Sequence, residues 1–85
     1  MKLIEYCTVN GWRFELVVRN GVDYAFYQCK GEIMYDDEHD QIPEPNLWDA
    51  AVRLGNILEK DGLKVDVSHS EKGWVEVTIN NYKTL

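Results

Sequence analysis

Acidic side chains crowd one stretch of this 85-residue sequence, and their chemistry is the binding of positive charge. Between Lys30 and Arg53 there are seven acidic residues and no lysine or arginine, so this window carries a formal charge of −7. The remaining eight acids and nine bases sum to +1, which gives the whole chain its −6. Such a local charge attracts cationic partners and repels nucleic acid and anionic membranes.

Clustered carboxylates also suit hard divalent cations, such as the calcium ion of an EF-hand loop. An EF-hand loop that starts at Asp36 needs glycine at its sixth position and glutamate at its twelfth. The sequence has Gln41 and Leu47 there. The two cysteines and two histidines lack the short paired spacings of structural zinc sites. We therefore predict no metal and no cofactor, and a less regular Ca²⁺ or Mg²⁺ loop stays a minor alternative.

Catalytic patterns and nucleic-acid-binding patterns are weak. The sequence has no serine in a nucleophile-elbow context and no glycine-rich phosphate loop, so we predict no catalytic residue and no enzyme. Arg13 and Arg19 are expected beside aromatic residues on one sheet face, but Glu15 lies between them. Two arginines are few for displacing counterions from phosphates, so direct binding to nucleic acid is not predicted.

The first 29 residues are predicted to form a three-stranded meander. Asn10-Gly11 and Asn20-Gly21 each separate alternating apolar runs, which predicts two hairpins with two-residue turns. The turns place Cys7 opposite Phe14, and Glu15 opposite Phe26. One face is then nearly all apolar and is predicted to face the core, whereas the other is mixed and open to water. The predicted core face comprises Leu3, Cys7, Val9, Trp12, Phe14, Leu16, Val18, Ala25, Tyr27 and Cys29.

The two cysteines are predicted to be free thiols. Cys7 and Cys29 lie on strands on either side of the central one, so they are about 10 Å apart laterally. A disulfide needs Cα atoms within about 7 Å.

The middle of the chain is predicted to lead from the meander into a single helix. Lys30-Gly31 is either a bulge in a long third strand or a turn into a short strand at 32–35, and the sequence leaves both open. The prolines of 42–45 predict an extended connection with neither helix nor strand. Asn46 is the predicted N-cap of a helix of about 15 residues that ends at Asp61-Gly62.

The last part of the chain alternates in two runs, 63–70 and 75–79, which predicts a third hairpin with a three-residue loop at 71–73 and Val67 opposite Val77. The predicted fold is a single α+β domain over residues 1–85. It is an antiparallel twisted sheet of about five strands, in the order β-β-β-(β)-α-β-β, with one helix packed on its apolar face. No segment approaches the roughly 20 apolar residues of a membrane span, and we expect a cytoplasmic protein.

These observations predict a small acidic binding or inhibitor protein without catalytic activity. In size, charge and compactness the chain is similar to the small acidic inhibitors made by phages and plasmids, including anti-restriction and anti-CRISPR proteins. That resemblance rests on no shared motif and assigns no residue. It implies a nucleic-acid mimic that docks on a basic, nucleic-acid-binding site of a protein partner. The predicted partner-binding residues are Tyr35, Asp36, Asp37, Glu38, Asp40 and Glu44.

Two other interpretations remain open at the level of sequence. The protein is a structural or interaction module, either a homodimer or a small subunit, if its mixed sheet face is a contact surface. The residues of that face are Ile4, Tyr6, Val17, Val22, Tyr24 and Phe26. Alternatively, the acidic stretch is a solvated loop that only aids solubility.

Overall fold

The computed structural model describes residues 3–19 and 25–81 and has an α+β fold, as predicted. Five strands form an antiparallel sheet in the order β1-β2-β3-β7-β6, and β4 and β5 pair in a separate two-stranded sheet. The strands are β1 (Tyr6–Val9), β2 (Trp12–Val18), β3 (Ala25–Cys29), β4 (Ile33–Tyr35), β5 (Gln41–Pro43), β6 (Val65–His69) and β7 (Val75–Ile79), and the helix α1 is Pro45–Lys60.

The first and last hairpins have the predicted registers. Val9 pairs with Trp12 and Cys7 with Phe14. Asn10 and Gly11 have φ of 52° and 83°, as a type I′ turn requires. In the last hairpin Val67 pairs with Val77.

The predicted register of the second hairpin is wrong by two residues. Glu15 pairs with Gln28 rather than with Phe26, and Val17 pairs with Phe26 rather than with Tyr24. This register does not fit the predicted two-residue turn at Asn20-Gly21, and residues 20–24 lie outside the described ranges. A shift of two residues leaves every side chain on its original face. The hydrophobic pattern therefore could not distinguish the two registers.

The core lies between α1 and the predicted apolar face of the sheet. Phe14, Tyr27 and Val77 are fully or almost fully buried there against Leu47 and Leu54 of the helix. Two face assignments need correction. Val18 is 45% exposed although it belongs to the predicted core face, because it lies at the end of β2, and Phe26 is only 4% exposed on the face expected to be open to water.

The connection that leads into α1 differs from the prediction at two points. Residues Gln41–Pro43 form strand β5, so this segment is not an unpaired connector; Pro43 is tolerated because it ends a two-stranded sheet. The N-cap of α1 is Glu44 and not Asn46. Pro45 can occupy the first helical turn because its missing N–H would have no intrahelical partner there. In the described residues no helix has both the length and the apolar character needed to cross a membrane.

Candidate functional site

The acidic residues at 36–40 form the tip of a hairpin that leaves the main sheet after β3 and returns to the start of α1. Its strands pair Ile33 with Pro43 and Tyr35 with Gln41. The structure therefore resolves the ambiguity at 32–35 in favour of a separate short strand. We call residues 35–40 the acidic tip.

The carboxylate of Asp36 organises the acidic tip. Its Oδ1 accepts hydrogen bonds from the backbone N–H groups of Glu38 and Asp40, both at 2.9 Å. The backbone N–H of Asp36 donates to the carbonyl of Asp40 at 3.1 Å, and that of His39 donates to the carbonyl of Asp36 at 3.0 Å. His39 has a positive φ of 63°, which closes the turn. The tip is therefore held by four hydrogen bonds made within it.

Most of the predicted partner-binding residues are brought together at this tip. Tyr35 is 58% exposed, and Asp37, Glu38 and Asp40 are exposed beside it. Glu44 is set apart from them at the base of the hairpin, where its Oε2 accepts the backbone N–H of Leu47 at 2.9 Å. Asp36 and Glu44 thus have structural partners inside the molecule. The other side chains of this set, those of Tyr35, Asp37, Glu38 and Asp40, make no hydrogen bond or ion pair with the described residues.

No cation of the described residues forms an ion pair with the acidic tip. Arg13 and Glu15, 3.6 Å apart on the sheet, form the one ion pair found within residues 3–19 and 25–81. Two lysines lie over the ring of Trp74 instead, with Nζ of Lys30 at 4.6 Å and Nζ of Lys72 at 5.4 Å from its centroid. No group of three or more histidine, cysteine, aspartate or glutamate side chains in the described ranges could hold a metal ion.

A shallow apolar groove lies at the base of the acidic hairpin. Its volume is about 320 Å³, and Ile42, Pro43, Pro45, Trp48 and His69 line it. The rings of Trp48 and His69 meet edge to face, with centroids 5.8 Å apart and an interplanar angle of 83°. The sequence pattern did not predict this groove, because its walls come from β5, α1 and β6, which meet only in the folded chain. Two signals were available: Trp48 lies close to the acidic stretch as a possible apolar anchor, and His69 has the strand parity of Val65 and Val67.

The mixed sheet face offers less free aromatic surface than the sequence suggested. Phe26 is buried, and the guanidinium of Arg19 lies 5.6 Å from its ring centroid. The guanidinium of Arg13 covers the ring of Tyr6 at 4.0 Å. Val22 and Tyr24, which the interaction-module hypothesis also invoked, lie outside the described residues.

The two cysteines are free, as predicted, with Cys29 buried and Cys7 half-buried. Burial raises the pKa of both thiols above the ordinary value of 9.0. Because the thiolate is the reactive form, this shift makes them poorer nucleophiles. The geometry of the cysteines thus fits a structural role.

Comparison with known proteins found no family model, no curated protein and no solved structure that matches this chain.

Proposed function

We propose that this protein is a non-enzymatic binding protein that docks its acidic tip on a basic surface of a protein partner. The observation that carries the proposal is the arrangement of Asp37, Glu38 and Asp40, which are exposed and lack a cationic partner among the described residues. Carboxylates that meet arginine or lysine make charge-assisted hydrogen bonds, which are the strong ones. The local field also speeds association with a cationic surface.

The hydrogen bonds made by Asp36 support the same proposal. A loop that is only a solvated spacer has no need of a fixed shape. Here the Oδ1 atom of Asp36 binds two backbone N–H groups and holds the tip in one conformation. A pre-formed tip loses less conformational entropy when it binds, so more of the interaction energy appears as affinity.

The partner that fits this tip best is a nucleic-acid-binding protein, whose phosphate site would accept carboxylates in place of phosphates. Occupying that site would block it, which makes the protein an inhibitor of the general kind that phages and plasmids produce. The same proposal places the protein in the cytoplasm, where free thiols persist.

The test uses a tip variant that leaves the fold of the tip intact. The substitutions Asp37→Asn, Glu38→Gln and Asp40→Asn remove three charges and keep Asp36 in place. A matched control, Glu59→Gln, Asp61→Asn and Glu71→Gln, removes the same charge from other exposed positions. Partners are captured from lysate with wild type and both variants, and the dissociation constant of the captured protein is then measured at low and high salt.

We expect the tip variant to bind about tenfold more weakly than wild type, since three exposed ion pairs of about 0.5 kcal/mol each sum to about 1.5 kcal/mol. The control variant should bind as wild type does, and added salt should weaken wild type more than the tip variant. Equal affinity of wild type and tip variant would overturn the proposal, and so would an equal loss in the control.

A further inference from the structure

The apolar groove at the base of the acidic hairpin has the properties of an anchoring site. Its residues are half-buried or exposed, and Trp48 offers an aromatic ring to the surface. Pro43 and Pro45 fix their own φ angles, and the edge contact with His69 orients the Trp48 ring. A rigid apolar surface of this kind binds with little loss of side-chain entropy.

The volume of the groove restricts what it can hold. At about 320 Å³ it is at the low end of the range of roughly 300–1,000 Å³ for small-ligand pockets. It is therefore suited to one large apolar side chain, while a whole amphipathic helix would need a longer groove.

The charged residues near the groove indicate which kind of polypeptide the bound side chain belongs to. Strand β5 connects Asp40 directly to Ile42, so the acidic tip is roughly 7 Å along the strand from the groove. Asp49 is exposed and directly follows Trp48 in α1. The lysines nearest in sequence to the hairpin and to His69, Lys30 and Lys72, lie over Trp74 instead.

Trp74 directly precedes Val75, which pairs with the groove residue His69. Because successive side chains of an extended chain alternate between faces, the Trp74 ring with its two lysines belongs to the face opposite to that of His69. Asp40, Glu44 and Asp49 each lie within two residues of a groove-lining residue and are acidic, so an anionic occupant would be repelled.

We propose that the groove binds a single large apolar side chain of a basic polypeptide segment, whose flanking arginines or lysines contact the acidic tip. The inference rests on the proposed function, because the tip supplies the charge that selects the segment. It adds that recognition is by an apolar residue between basic residues and not by charge alone.

The test uses synthetic peptides titrated into isotope-labelled protein and followed by NMR. The first peptide has one leucine between two arginines on each side, with both ends capped. The second replaces the leucine by alanine, and the third keeps the leucine and replaces the arginines by serines. We expect the leucine–arginine peptide to bind about tenfold more tightly than the alanine peptide, since the leucine becomes buried. It should shift the Trp48 indole and His69 signals, and the serine peptide should not bind.

Protein variants separate the groove from the tip. Ile42→Ala removes part of the groove wall and should abolish the preference for leucine. Its matched control is Met34→Ala, because Met34 pairs with Ile42 across the hairpin but does not line the groove. Met34→Ala should still bind the leucine peptide more tightly than the alanine peptide. The tip variant described above should weaken the leucine and alanine peptides by the same factor.

The outcomes distinguish the two proposals. If the leucine and alanine peptides bind wild type with equal affinity and neither binds the tip variant, the groove proposal is wrong. The acidic tip would then be the binding site. Unchanged binding in the tip variant would overturn the proposed function. Binding of the serine peptide would show that the groove takes apolar chains without regard to charge, and it would overturn the inference. So would the absence of signal shifts with every peptide.

Discussion

The acidic residues of this region differ in the contacts that their carboxylates make. Asp36 binds two backbone N–H groups within the acidic tip, and Glu44 binds the N–H of Leu47 at the start of α1. Asp37, Glu38 and Asp40 have exposed side chains. The sequence predicted all five as one binding set, because it shows where charge is concentrated but not which N–H group a given carboxylate meets.

Gly73 is the residue whose replacement should damage the fold most clearly. It has a φ of 85°, which L-residues adopt at a cost, and a Cβ there would overlap the backbone of Glu32 and Ile33. Gly11 has almost the same φ of 83°, but a Cβ there would meet nothing within 4 Å. We expect Gly11→Ala to lower the unfolding free energy by about 1–2 kcal/mol, the backbone cost alone. Gly73→Ala should lower it by more than about 3 kcal/mol, because it adds the steric overlap.

Urea denaturation of the two glycine variants measures this difference. The comparison isolates the steric overlap between a Cβ at position 73 and the backbone of Glu32 and Ile33. Equal losses in the two variants would show that this backbone moves aside at little cost.

At the scale of whole elements, the sequence predicted those features that periodicity and turn chemistry determine. The Asn10-Gly11 turn allowed one register, and the structure confirms it. The second hairpin was predicted in the wrong register, because a two-residue shift keeps every side chain on the same face. Strand β5 was missed because prolines argue against strands, although Pro43 is compatible with the end of a two-stranded sheet.

The start of α1 provides a direct test of the corrected N-cap. The side chain of Glu44 accepts the N–H of Leu47, whereas Asn46 lies within the helix. We expect Glu44→Ala to lower the unfolding free energy by about 1 kcal/mol through loss of the cap. Asn46→Ala should leave it unchanged or raise it by about 0.5 kcal/mol, since alanine is the better helix former.

Thermal or urea unfolding of the helix-start variants measures these changes, with Glu44→Gln as the conservative control. Glutamine keeps an acceptor oxygen and should retain most of the stability. A larger loss from Asn46→Ala than from Glu44→Ala would instead support Asn46 as the cap that the sequence suggested.

At the scale of the whole molecule, the fold places an apolar groove beside the acidic tip, and no pattern along the sequence shows this neighbourhood. The run of acids was visible in the sequence, so its position at an exposed tip was predictable. The groove beside it was not, because Pro43, Trp48 and His69 come from three elements that meet only in the folded chain. The cations over Trp74 likewise come from separate segments, at Lys30 and Lys72.

The stability of the whole domain should fall in alkaline solution because of three groups in the sheet. Burial raises the pKa of Cys7 and Cys29 above 9.0, and burial together with the nearby Cys7 raises the pKa of Tyr27 above 10.0. A raised pKa in the folded state means that folding favours the protonated form. The contribution is therefore fully present below the unfolded-state pKa and is lost as the pH rises through the folded-state value.

We expect the unfolding free energy of wild type to decrease from about pH 8 to about pH 10.5 more steeply than that of a Cys7→Ala, Cys29→Ala variant. The comparison removes the contribution of the surface lysines, which both proteins share. Adding Tyr27→Phe should flatten the curve further, although it also costs the hydrogen bond of 2.8 Å from the Tyr27 hydroxyl to the carbonyl of Ile4. Urea unfolding at each pH under reducing conditions gives the slopes. Parallel curves for wild type and the double variant would show that neither thiol is protected by folding, which would contradict the buried positions on which the core of the sheet depends.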